Sequence, residues 1–366
     1  MKNKFRNLII CFFILFLSLY LIPSVLAKTR LSYLTSFVLD NEIDGNGFSN
    51  TVGLGVSYEA TASALEILEH YGINPHEIED LKSNLEDTIT DMFDTNSVNL
   101  YSLYSLMKSL EILNHDIDTL LLDRIYQYLN DTEQVGGGFS YSNASTSVSL
   151  TYTYYVIQLY SLIDKPVVNI TIHKDWILSC NNSDGGYGGN QSLTSTLINT
   201  YFATILINDM GNIDELADIN LTLNYFKSYY INDTADLDNF GGFTPTDISD
   251  YALLSSTYYC ARSLSLIEDY LGSSELNKGA ISNWVLSRQN FHDGGFAENP
   301  EGSEAMTSSI ISSYFAFETL NILGYLSSLN SEIWRVEFNY WILGIILSSI
   351  VLVIAAGIFL WRRRRI

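Results

Sequence analysis

The sequence predicts an all-α body built from six helix–turn–helix units, and three observations carry that prediction. Five loops share a glycine–aromatic core: DGNGFSN around Phe48, GGGFSYS around Phe139, DGGYGGN around Tyr187, FGGFTPT around Phe243 and DGGFAEN around Phe296. The intervals between these aromatics are 91, 48, 56 and 53 residues, a period of about fifty with one double step. After each loop apolar residues recur at three and four, and no period-two alternation is sustained over a strand length.

The elements follow in chain order. Lys2, Lys4 and Arg6 precede an apolar stretch from Leu8 to Leu21, which leads to Val25-Leu26-Ala27. Residues 1–27 therefore read as a secretory signal peptide cleaved after Ala27, with an uncleaved anchor as the alternative. The body occupies residues 28–330. Its first unit carries the Phe48 loop, and the double step contains DMFDTNSVNLYSLYSLMKSLEIL near Phe93, a second unit that keeps the following helix and has lost the glycines. In the later units, residues 195–209 (STLINTYFATILIND) and 308–324 (SSIISSYFAFETLNILG) show the helical period, for example at Tyr314, Phe317, Leu320 and Leu323. A second helical run precedes each loop, as in HKDWILSCNN and ISNWVLSRQN, where Trp176 and Trp284 stand ten and eleven residues before the second loop glycine.

The turn itself has a mechanical reading. Gly47, Gly138, Gly186, Gly242 and Gly295, each followed by Phe48, Phe139, Tyr187, Phe243 or Phe296, suit a sharp turn between packed helices, which needs positive φ and close backbone approach. No GxxxxGK[ST] occurs and no lysine stands beside these glycines, so they do not read as a phosphate loop.

Beyond the body, residues 331–339 read as a short linker and 340–361 as a transmembrane helix. Trp341 to Leu360 is twenty residues without a charge, bordered by Tyr340, Trp341 and Trp361. Arg362 to Arg365 follow in a basic tail, 362–366, and the positive-inside rule puts that tail in the cytosol. The expected location is thus a cell membrane crossed once, with the body extracytoplasmic.

Charge excludes one class of partner. Of 19 Lys and Arg, seven lie in the two termini, which hold no acid, so the body carries twelve bases against 41 acids, a net of −29. Nucleic acid is not an expected partner, because phosphate binding needs clustered bases. Cys180 and Cys260 remain after signal removal; they read either as one bridge or as small buried hydrophobes.

These residues resemble the prenyltransferase and squalene-oxidase repeats of protein prenyltransferase β subunits and terpenoid cyclases. The pattern Gln-x-x-x-Asp-Gly-Gly-Phe from Gln289 to Phe296, followed by a Ser-Tyr pair opening an apolar helix, carries the resemblance over about residues 31–330. It implies an α/α6 toroid, six inner helices ringed by six outer ones. Aligning the helices after the loops puts Tyr104, Tyr154, Tyr201, Tyr258 and Tyr314 in one position, with Glu59 assigned to it in the first unit. The resemblance places zinc ligands three residues and one residue before that position, where this chain has Ile198 and Thr200, Ser255 and Thr257, Ile311 and Ser313. None is a zinc ligand, so no metal is expected. The nearest match to the cyclases' DxDD acid is Asp236-Leu-Asp238-Asn239, which lacks the last aspartate, and the GCGEQ of thioester domains is missing.

Other chemistry is thin. His70, His76, His115, His173 and His292 are scattered and read as surface or loop residues. Asp40, Glu42 and Asp44 imitate the start of a calcium loop, but Thr51 stands where a bidentate Glu belongs. The sequence therefore points to a membrane-anchored extracytoplasmic toroid that binds a protein, peptide or lipid through Glu59 and the five tyrosines without turnover. An isoprenoid enzyme with rearranged catalytic residues and a structural envelope component are the alternatives. The tyrosines could equally seal the ring by packing between helices. Glu59 facing an apolar cavity would have a raised pKa.

Overall fold

The computed structural model describes residues 24–142, 144–273, 276–298, 307–337 and 348. They fall into two compact units, one comprising residues 31–329 and the other the two chain ends. In the larger unit the described residues form twelve helices that alternate in two roles. The outer ones are α1 (Arg30–Asp40), α3 (Ile78–Asp94), α5 (Thr119–Asp131), α7 (Ile170–Ser179), α9 (Ile219–Lys227) and α11 (Lys278–Ser287). The inner ones are α2 (Tyr58–His70), α4 (Leu100–Ile112), α6 (Leu150–Leu162), α8 (Leu197–Met210), α10 (Leu254–Leu271) and α12 (Ile310–Ile322). Each inner helix packs on the next, and α12 returns to α2, so the ring closes as the resemblance implies.

Helix starts are fixed by side chains. Ser57, Asn99, Ser149, Thr196 and Ser309 each accept the backbone N–H three residues on, satisfying one of the orphan donors of an inner-helix N-terminus. Asp118 and Asp218 do the same for α5 and α9. The inner helices are apolar nearly all round because one face meets the outer layer and the other the interior.

The glycine loops hold neighbouring units together. A Cβ on Gly294, whose φ is +96°, would lie 2.3 Å from the Tyr33 carbonyl oxygen of α1, so the last loop closes onto the first helix only because that residue is glycine. The second glycine of a loop leaves room for a ring: a Cβ on Gly295 would meet Phe37 at 2.6 Å, and one on Gly186 would meet Tyr225 at 2.5 Å. Trp176 and Trp284 fill the same role, but at Gly138 and Gly242, so each belongs to the loop of the preceding unit rather than its own. Phe48, Phe139, Tyr187, Phe243 and Phe296 are buried, each contributing about 2 to 3 kcal/mol of apolar transfer.

Several expectations are corrected. Short strands are present: β2 (Glu42–Ile43) pairs with β3 (Gly47–Phe48), and β4 (Phe139–Ser140) with β5 (Val148–Ser149). They are two-residue ladders that close the turns, too short to leave an alternating pattern in the sequence. In the unit formed by the chain ends, β1 (Ser24–Thr29) pairs antiparallel with β6 (Glu332–Glu337). The latter lies where a linker was expected over 331–339; its Ile333, Trp334 and Val336 are strand formers. Most of the expected signal, residues 1–23, lies outside the described residues, and its last four residues begin β1. The expected span 340–361 also lies outside them, apart from Ser348. Among the described residues no helix is long and apolar enough to cross a membrane.

His173 is a further correction. It is fully buried in α7, where Nδ1 accepts the Gly138 N–H at 2.9 Å and the ring stacks on Phe139 at 4.4 Å. That leaves the proton on Nε2, which faces a Glu133 oxygen at 3.4 Å, and burial holds the imidazole below its ordinary pKa. Cys180 and Cys260 are separate, buried free thiols.

Candidate functional site

The common N-caps set a register for the interior. The fifth residue after each cap is Tyr104, Tyr154, Tyr201, Tyr258 or Tyr314, and in the first unit it is Ala62. Glu59 therefore sits one helical turn nearer the N-terminus than the tyrosine position assigned to it, on the same face of α2. All six sequence-predicted residues nevertheless line one central cavity of about 130 Å³. Ring centroids run 6.4 Å from Tyr104 to Tyr154, 6.3 Å on to Tyr201, 5.9 Å to Tyr258 and 6.1 Å to Tyr314. The belt is open where Ala62 stands.

A second layer went unnoticed in the sequence. The residue after each tyrosine is Tyr155, Phe202, Tyr259 or Phe315, and these rings pack against the belt: Phe202 stacks on Tyr154 at 4.4 Å and Phe315 on Tyr258 at 5.3 Å. In units one and two the same position holds Ser63 and Ser105, so the cavity lies against α2 and α4. Packing between helices and lining a cavity are thus not alternatives, since the tyrosines do both.

One turn further along, the ninth residue after the cap forms a charged tier that the sequence reading also missed. It contains Glu66, Lys108, Arg262 and Glu318. Lys108 lies 3.6 Å from Glu66 and 2.8 Å from Glu111; burial pulls its pKa down, but these carboxylates more than offset that and raise it. Glu318 is pushed up to about 7, first by burial and then by the charge of Glu66. Spacing of four from the tyrosines was the available signal.

Burial pushes Glu59 up to about 7 as well. Its carboxylate makes no hydrogen bond and no ion pair among the described residues. Tyr104 is pushed up to about 12, and Tyr154, Tyr201, Tyr258 and Tyr314 well above the ordinary phenol value, all chiefly by burial. The belt is therefore a set of neutral phenols.

The positions where family zinc ligands would stand have another task here. Thr200, Thr257 and Ser313 accept the backbone N–H of the loop aromatics Tyr187, Phe243 and Phe296 at 2.9 to 3.1 Å. Thr61 and Thr153 serve Phe48 and Phe139 in the same way. Their hydroxyls turn toward the loops, and among the described residues no three His, Cys, Asp or Glu side chains converge as a metal requires. Zinc does not fit this donor set. Asp40, Glu42 and Asp44 form no such group either among the described residues, and Glu42 lies 2.7 Å from His76 Nδ1. Asp236 closes a turn with Asn239, and the Asp238 carbonyl accepts from Trp284 Nε1, both away from the cavity.

The model of the prenyltransferase alpha-alpha toroid domain matches residues 1–226 and 237–345. The chain belongs to that family. Among solved toroids it is similar to Candida albicans protein geranylgeranyltransferase-I complexed with GGPP, with 16% identity and a TM-score of 0.58 over 75% of this chain and 86% of that one. It is also similar to the type II terpene cyclase MstE from Scytonema, at 13% identity and a TM-score of 0.54 over 82% and 97%. A protein from Actinoplanes matches at 14% identity with a TM-score of 0.52 over 82% and 99%. At these identities what is shared is the toroid. No curated protein sequence matches the chain.

Proposed function

We propose that this toroid binds a small ligand in its central cavity without converting it, on an extracytoplasmic body held at a cell membrane by the apolar segment 340–361. The observation that carries the reading is the cavity. About 130 Å³ is well under the roughly 300 to 1,000 Å³ of pockets for drug-sized ligands, so a long prenyl chain has no room in it. Its wall supports binding, with ten aromatic residues among seventeen, a few polar groups and, among the described residues, no set of metal donors. The twenty uncharged residues from Trp341 to Leu360, with Arg362 to Arg365 close behind, and the acidic body support the location.

One observation favours an isoprenoid enzyme instead. Glu59, pushed up to about 7, is a carboxyl that holds a proton near neutrality, as a general acid must. Native mass spectrometry of the full chain in a maltoside detergent separates the readings. Binding predicts the bare chain or a light adduct, and no consumption of geranylgeranyl diphosphate; a co-purifying prenyl lipid or turnover of that diphosphate would overturn it.

A further inference from the structure

The ligand's chemistry can be read from what the cavity leaves unsatisfied. Lys108 is already matched by Glu66 and Glu111, so the surplus charge on the wall is Glu59, bare among the described residues. A largely buried carboxylate facing aromatic rings attracts a cation, since both the anion and the ring faces favour positive charge. Burial pushes Glu59 upward. Ser63, one turn further along α2, lines the cavity with a hydroxyl that has no hydrogen-bond partner among the described residues. Residues four apart on a helix have Cβ atoms about 5 to 6 Å apart, a span suited to an ammonium and a hydroxyl two carbons away.

Size narrows the choice. A cavity of about 150 Å³ admits one benzene-sized molecule, and this one is slightly smaller. A directly ligated metal ion would need a donor set, and among the described residues no three His, Cys, Asp or Glu side chains converge.

We infer that the cavity receives a compact alkylated amino alcohol cation of the choline type, its ammonium between Glu59 and the tyrosine faces and its hydroxyl toward Ser63. The inference rests on the binding reading above and names its ligand class. Phosphorylated or carboxylated relatives are disfavoured, because they would bring an anion toward Glu59 and Glu66.

The test is calorimetric titration of the full chain in maltoside at pH 8 with choline and with 3,3-dimethyl-1-butanol, its uncharged isostere. The expected result is choline binding with the isostere at least tenfold weaker, and at least a tenfold loss of choline affinity in Glu59→Gln. The isostere comparison needs no variant, so a folding defect in Glu59→Gln leaves it standing. Equal binding of the two ligands would overturn the cation assignment while leaving a binding cavity. No choline binding at 10 mM would also overturn it, and the mass-spectrometric test of the binding reading would be unaffected.

Discussion

The girdle of glycine turns and the inner wall are generated by the same six-unit repeat, yet they use it in opposite ways. In the girdle, five loops repeat one device: a glycine pressed against the next outer helix, a buried aromatic, and a Thr or Ser hydroxyl on its N–H. On the wall, four units present two aromatics each, while units one and two present Ala62 and Ser63, and Tyr104 and Ser105. Uniform positions hold the ring closed. The departures from uniformity create the cavity and place Glu59 beside it.

That division is broken or sharpened by substitution. The largest effect is expected at Gly294→Ala, where a Cβ meets the Tyr33 carbonyl at 2.3 Å and φ is +96°. We expect a loss of about 4 kcal/mol in urea unfolding. Gly53→Ala has a similar φ of +85° with nothing within 4 Å, and about 1 kcal/mol is expected there. Equal losses would mean that the loops do not clamp neighbouring helices.

The wall should respond to pH through Glu59, whereas the Gly138 loop responds through the buried His173, whose lowered pKa acts equally in the native chain and in Glu59→Gln. Glu59 titrates near 7 in the folded chain against an ordinary value of 4.5, so the folded state holds the extra proton between those values. Its stabilising share is complete below pH 4.5 and lost as pH rises through 7. Glu59→Gln should match the native chain at pH 4 and exceed it at pH 8.5 by up to about 3 kcal/mol. Glu318 on α12, pushed up likewise, adds the same trend to both proteins, while Lys108 on α4 stays charged. Glu66, Tyr155, Tyr259, Tyr101 and the five belt tyrosines share the cavity wall with Glu59, and burial keeps Tyr155, Tyr259 and the belt phenols neutral across this range. A pH-independent difference would contradict this.

Smaller effects distinguish adjacent residues of one helix. Thr200→Val leaves the buried Tyr187 N–H without an acceptor and should cost about 1 to 3 kcal/mol. Tyr201→Phe gives up a long 3.3 Å contact with the Tyr258 hydroxyl and a weaker one with Tyr154, and should cost under about 1 kcal/mol in the same unfolding experiment.

Legibility followed the same division. The glycine loops, the six units and the tyrosine positions were readable because each recurs at a fixed spacing, and a repeated local device leaves a repeated local signature. The first unit misled, since an alignment that seeks a large side chain selects Glu59, whereas the Ser57 cap fixes Ala62 at the fifth position. The second aromatic layer was hidden because Tyr155 and Phe202 merge with the apolar background of nearly all-apolar helices. His173 was hidden because its role depends on Gly138, thirty-five residues earlier. The charged tier of Glu66, Lys108 and Glu318 was within reach, four residues beyond positions already singled out.

The gap at Ala62 is tested most directly by giving it the ring that the other five units possess. Ala62→Phe should keep the unfolding midpoint of the native chain and lose choline affinity by at least a hundredfold, because the ring would occupy most of the cavity. An Ala62→Phe protein that folds normally and binds choline as the native chain does would place the ligand elsewhere, and the cavity would not be the site.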